Sequence, residues 1–181
     1  NGVVIGATAT QNFTLLSDPI YACSAPDGYG YYACENGDAG GPTYAWTEIA
    51  PDAGGPGTDT GQSCDDCFNG PYAFPFPFMF YGVTYSQYYI GSNGMVTFTT
   101  GATDFTPTPA EFANGFRAAA TTGVNPGVAV LWSDWFRSTV TNDEIRVTEN
   151  FVSGAVTVAY NNIQHYGSQT PAGSFSGTFA G

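Results

Sequence analysis

Four cysteines, Cys23, Cys34, Cys64 and Cys67, carry the most reactive chemistry in this sequence. An even number of them in an acidic, turn-rich chain points to disulfides formed in an oxidising compartment. Three pairings are open. The local one, Cys23–Cys34 with Cys64–Cys67, is favoured because each pair brackets one Gly/Asp-rich loop. A zinc site is the alternative, since Cys64-Asp-Asp-Cys67 presents two thiolates at ligand spacing; the wider separation of Cys23 and Cys34 weakens it. Two carboxylates between the sulfurs would raise the thiol pKa, which argues against a redox role.

Carboxylates are the second chemical resource. Asp59, Asp65 and Asp66 lie on the Gly-rich stretch from Pro51 to Gly70, whose carbonyls add hard oxygen donors. Calcium is the cation such a loop suits, although the spacing fits no EF-hand; calcium apart, no cofactor is expected. The adjacent pairs Asp65/Asp66 and Asp143/Glu144 do not make a glycosidase: that chemistry needs two carboxylates ~5–9 Å apart across a cleft. Neighbours on an extended chain point to opposite faces. Asp134 stands between Trp132 and Trp135, a set able to stack and bond a sugar, but the block reads as core packing around one ordered acid. His165 is the sole histidine, and with no Gly-x-Ser-x-Gly elbow it completes no triad. It reads as a polar residue in a loop after Asn161-Asn162. The expectation is a protein that is not an enzyme. Asn12-Phe-Thr14 is the one N-x-S/T acceptor, making Asn12 the candidate N-glycosylation site.

Fifteen acids against three basic residues, all arginine, give a formal charge of −12. That excludes nucleic acid as a partner, because phosphates need cations to neutralise them, and it disfavours anionic membranes. No run approaches the ~20 apolar residues of a membrane-spanning helix. Only 10% of residues are charged and 16% are aromatic. Ordinary domains carry about 25% charged residues, so this is the make-up of a β-rich extracellular chain. With no initiator Met and no leader, it reads as a mature form exported by a cleaved signal peptide to the cell surface or beyond.

The elements that must position these residues are strands. Phe74-Pro-Phe-Pro-Phe-Met-Phe-Tyr81 concentrates aromatics, but Pro75 and Pro77 cannot donate ladder hydrogen bonds, so Phe74–Phe78 must be an edge, a strand entrance or a polyproline-II-like segment. Asn93-Gly94 divides two strand-like runs and predicts a two-residue type I′ hairpin. Tyr44–Ile49 reads as a short strand. Gly127–Phe136 is a continuous apolar run of the kind that forms a strand buried on both faces. Ile145–Thr148 and Ala155–Tyr160 flank Ser153-Gly154 as a second hairpin, and Ser174–Phe179 begins a further strand. Ala110–Ala120 alone has helical character. Upstream, Val3, Val4, Ile5, Phe13 and Leu15 mark one or two strands.

The aromatic block resembles the "PFpFpFYG..Y....sNG.i.F" signature of extracellular β-sandwich modules in prokaryotic surface proteins and secreted proteases, related to nidogen-like (NIDO) domains. Phe74, Phe76, Phe78, Phe80, Tyr81, Gly82, Tyr85, Ser92, Asn93, Gly94 and Phe98 carry the likeness. Tyr44–Ile49, Asn125–Asp134 and Val156–Ile163 resemble further blocks of the same modules. The resemblance implies a non-catalytic domain in which the last strand-like segment is followed by one more strand.

The sequence therefore predicts an all-β protein: an antiparallel β-sandwich, jelly-roll or Ig-like, with long Gly/Asp-rich loops. Residues 1–20 form an N-terminal strand extension and 21–181 a single domain. The extension, through Val3, Val4, Ile5, Phe13 and Leu15, is expected to fill a gap in a neighbouring subunit, making the protein its own partner in a surface filament. The alternative is an adhesion module contacting glycans or extracellular matrix through its acidic loop and aromatics.

Overall fold

The computed structural model describes residues 23–109, 116, 125–136, 144–150, 154–167 and 171–180. Val3, Val4, Ile5, Asn12, Phe13, Leu15, Asp143 and, Phe116 apart, the stretch Ala110–Ala120 lie outside them. The chain divides into two compact units between Trp46 and Thr47.

The described residues of the first unit begin with a loop closed by the Cys23–Cys34 disulfide. Beside the disulfide, the Ser24 amide donates to the Ala33 carbonyl at 2.7 Å and the Ala33 amide to Ser24 Oγ at 2.8 Å. Asp27 Oδ1 accepts the amides of Tyr29 and Tyr31, the side-chain-to-backbone bonding through which Asp nucleates turns. Tyr44–Ile49 forms no strand. Instead Ile49 and Ala50 are buried at the start of the second unit, followed by a short 3-10 turn at Pro51–Ala53.

The second unit is a β-sandwich. Its strands are β1 (Thr58–Asp59), β2 (Phe68–Phe80), β3 (Val83–Gly91), β4 (Met95–Thr97), β5 (Gly127–Ala129), β6 (Trp135–Phe136), β7 (Glu144–Asn150), β8 (Ala155–His165) and β9 (Pro171–Ala180). One antiparallel sheet runs β2-β3-β4-β5. In the other, β1 pairs with β7, while β8 takes β7, β9 and the two-residue β6 as partners. Ala155–Tyr160 pair with both β7 and β9, so those two strands flank β8 and β9 lies at the outer edge.

The core fills the space between the sheets. Phe74, Phe78, Tyr88, Ile90, Val96 and Phe98 from the first sheet meet Trp135, Val156, Val158, Tyr160, Ile163 and Phe179 from the second. Phe78 lies edge-on to Phe179, with ring centres 5.9 Å apart, and Tyr160 stacks on Phe175 at 4.6 Å, separations at which aromatic pairs attract beyond their buried area. The fully buried Tyr160 hydroxyl, its pKa pushed up by burial, donates toward the carbonyls of Gly91 at 2.9 Å and Met95 at 3.3 Å. A single hydroxyl thereby ties β8 to both ends of the β3–β4 turn. Among the described residues no helix is long and apolar enough to cross a membrane.

Two strand expectations need correction. The β3–β4 connection is not a two-residue type I′ turn: Gly91 pairs with Met95, leaving a three-residue loop, Ser92–Gly94. Of Asn93 and Gly94 only Gly94 has positive φ, +80°, and type I′ requires it at both central positions. Nor is Gly127–Phe136 one buried strand. It leaves the first sheet after Ala129 and enters the second at Trp135, its apolar residues packing on both layers during the crossing. β8 also continues past Tyr160 to His165, so that histidine ends a strand and does not sit in a loop.

Candidate functional site

Three of the sandwich's acidic residues, Asp65, Asp66 and Asp134, come together at one loop. The Cys64–Cys67 disulfide closes a four-residue link that projects Asp65 and Asp66, and Asp66 is held at φ +44°. The loop is bolted to the β3–β4 turn at Ser92. The Ser92 amide donates to the Cys67 carbonyl at 2.8 Å, and the Cys67 amide donates to Ser92 Oγ at 3.0 Å. Asn93, with no exposed surface, makes the next connection. Its Nδ2 donates to Asp66 Oδ1 at 2.9 Å, and its Oδ1 accepts the Trp135 amide at 2.9 Å. Chemistry fixes which way this amide points, because a backbone N–H only donates and an ionised carboxylate only accepts.

By anchoring Trp135, Asn93 also places Asp134. One carboxylate oxygen each from Asp65, Asp66 and Asp134 lie within 4.8 Å of one another. Calcium binds oxygens at about 2.3–2.6 Å, so ligands on one ion can stand about twice that distance apart, and this trio fits. The Oδ1 of Asp65 is buried and has no hydrogen-bond partner among the described residues, a costly state for a carboxylate oxygen. Burial, then the charges of Asp66 and Asp134, raise the Asp65 pKa. Asp134 is raised by burial and by Asp66, with His165 opposing. His165 itself is exposed, its ring 5.6 Å edge-on from Trp135.

Asp59 does not join this group. It lies in β1 opposite Arg146 and accepts the Gly61 amide at 3.0 Å; Asp134 stands in the position beside Asp65 and Asp66 that the sequence reading gave to Asp59. Asp38 lies near the sulfurs of Cys23 and Cys34, but these are joined in a disulfide and offer no thiolate. Trp132 and Trp135 are both nearly buried. Their indole nitrogens donate to the carbonyls of Asp104 and Leu131, so they pack and present no face for a sugar. Asn93 and Asp134 are the site residues sequence reasoning did not assign. Their signal was present, since Asn93 belongs to the quoted signature and Asp134 to a quoted block.

A two-sheet sandwich with an aromatic edge strand and an Ser-Asn-Gly turn gripping a disulfide loop is the arrangement on which the family comparison bears. The model of a family described as NIDO related matches residues 39–178. The chain belongs to the NIDO-related family. No match is found among curated proteins or among solved structures. The matched span covers the whole described sandwich down to β9, so Asp65, Asp66, Asn93 and Asp134 all fall inside the NIDO-related domain. Two disulfides and such a domain are compatible with an extracellular location.

Proposed function

We propose that this protein is a non-catalytic extracellular structural subunit that assembles with copies of itself into a surface filament, each copy donating its N-terminal segment to the next. The observation that carries this reading is β9. It is a ten-residue strand with β8 as its only strand partner among the described residues. An open edge of that length is a template for another chain, and strand addition is a recurrent mode of assembly. Export by a cleaved signal peptide belongs to the same proposal. Removing Asn1–Leu16 should abolish fibres seen by negative-stain microscopy and leave monomers or unstable protein. Fibres of normal length from the truncated chain would overturn it.

Calcium at Asp65, Asp66 and Asp134 is proposed as a structural adjunct, favoured by the buried, unpartnered Asp65 oxygen. It would neutralise three clustered charges and brace the loop. A second functional reading, adhesion to glycans, is favoured by Tyr29 and Tyr32, which are exposed on the disulfide-closed loop of the first unit. That reading requires a monomer that binds a glycan array.

A further inference from the structure

Strand exchange, on which this inference rests, leaves open which edge receives the donor, and the edges differ in kind. β1 and β5 are only two and three residues long. β2 is thirteen residues long but carries Pro71, Pro75 and Pro77, and its register with β3 breaks between Asn69 and Tyr72 and again between Ala73 and Phe78. Prolines, bulges, charges and brevity are the devices by which sheets keep strangers off their edges. β9 carries no charge and no proline after Pro171, and its register with β8 is irregular only ahead of Phe175. Pro171-Ala-Gly-Ser-Phe-Ser-Gly-Thr-Phe-Ala180 contains no charge, and its pairing with β8 is unbroken from Tyr160–Phe175 to Ala155–Ala180.

We propose that the outer edge of β9 is the acceptor site, and that its occupant is the segment Asn1–Leu16 of a second copy. Three features of the chain match donor to acceptor. The segment is free of charge as far as Asp18, so it brings no ion to desolvate against an uncharged strand. Its length exceeds the ten residues of β9, and over the six residues in unbroken register, 175–180, alternate residues turn about three N–H and about three C=O groups outward. Its alternation also fits the layer beneath. Phe175 and Phe179 point from β9 into the core, and a strand laid beside them continues that face with one side of its own, using Val3 and Ile5 or Phe13 and Leu15.

Hydrogen exchange on the full-length chain tests this. Dilute protein should show fast exchange across the outward amides of 174–180, slowing by about tenfold or more as concentration drives assembly. Ser176, partly exposed on the face away from the core, offers a guard position. Ser176→Lys should raise the concentration needed for half-assembly by about tenfold or more, following the natural use of edge lysines. Ala73→Lys, on the already guarded β2, should leave it unchanged. Far-UV circular dichroism and a melting curve of both variants separate lost assembly from lost folding. If Ser176→Lys proves unfolded, the exchange result decides alone. Slow exchange of β9 already in dilute monomer would mean that the edge is covered within one chain, and would overturn the proposal. Protection gained at β2 or β5 while β9 stays open would overturn the acceptor assignment and leave strand exchange standing. No concentration-dependent protection anywhere would overturn both.

Discussion

Removing the Asn93 side chain should cost the sandwich about 3 kcal/mol, and the structure shows where that comes from. The Trp135 amide is shared between Asn93 Oδ1 and the Ser133 carbonyl, each at 2.9 Å. The Ser133 contact spans only two residues, so it substitutes poorly for the lost partner. Losing a buried bond of this kind costs about 1 kcal/mol. The bond from Nδ2 to the Asp66 carboxylate is charge-assisted, worth about 1.5–3 kcal/mol when buried; Asp66 is only half-buried, so we take about 1. The void left at a position with no exposed surface adds roughly another 1 kcal/mol. Asn93→Ala should therefore shift the urea midpoint without changing the slope, followed by fluorescence of Trp132 and Trp135. Asn93→Asp is the sharper variant. It keeps the acceptor for Trp135 but turns an oxygen toward Asp66 Oδ1, adding a fourth carboxylate to three. At pH 7 it should be worse than alanine, and acidification or added calcium should narrow the gap. A cost below about 1 kcal/mol for Asn93→Ala, or an Asn93→Asp protein as stable as the parent at pH 7 without a cation, would refute the bracket.

Two further outcomes follow from the same region. Asp65 and Asp134 have folded pKa values raised above the ordinary 3.8, so the fold holds their protons more tightly than the unfolded chain does. Their contribution is favourable below that value and is lost as pH rises through the raised values. The melting temperature at neutral pH should accordingly rise on adding calcium, the rise should vanish below the ordinary value of 3.8, where Asp65 and Asp134 hold protons, and Asp134→Asn should remove most of it; a calcium effect equal in Asp134→Asn, measured by differential scanning fluorimetry, would place the ion elsewhere. Gly94→Ala should destabilise the fold by at least about 2 kcal/mol, since the φ of +80° costs an L-residue about 1–2 kcal/mol and a Cβ there would overlap the Leu131 carbonyl oxygen; a denaturation midpoint within error of the parent would contradict this.

The sandwich was legible because its signals are local and redundant. Alternation in Ala155–Tyr160 and its turn at Gly154 specify a hairpin whatever surrounds them, and β7 and β8 pair accordingly. Proline spacing in the Phe74–Phe78 stretch limited it to an edge, a strand entrance or a polyproline-II-like segment, and β2 is an edge. The misreading of Gly127–Phe136 has a definite cause, which is that periodicity does not say where a chain changes layers. Gly127–Trp132 is apolar because the segment packs first on one sheet and then on the other, and a strand buried on both faces has the same composition. The acidic site was half legible. Asp65 and Asp66 announce themselves between two cysteines, but Asp134 is brought to them across a separation no spacing rule spans, by Asn93, whose role depends on Trp135 lying in the opposite sheet.

That dependence gives the signature turn a meaning beyond marking the fold. Ser92, Asn93 and Gly94 each do separate work. Ser92 fastens the disulfide loop at both Cys67 backbone groups, Asn93 spans from Asp66 to Trp135, and the Gly94 carbonyl accepts the Val130 and Leu131 amides where the chain leaves β5. Three connections from consecutive residues hold the loop, the layer crossing and the start of β6 in one frame. The Asp66 carboxylate is thus held by a bond that requires no ion, and a cation entering the cluster would find that oxygen already placed, with less ordering left to oppose binding. The same frame lies inside the sandwich that ends in β9, so a variant that loosens the turn should weaken cation binding and lower stability together while leaving the β9 edge, and any assembly through it, dependent only on whether the sandwich remains folded.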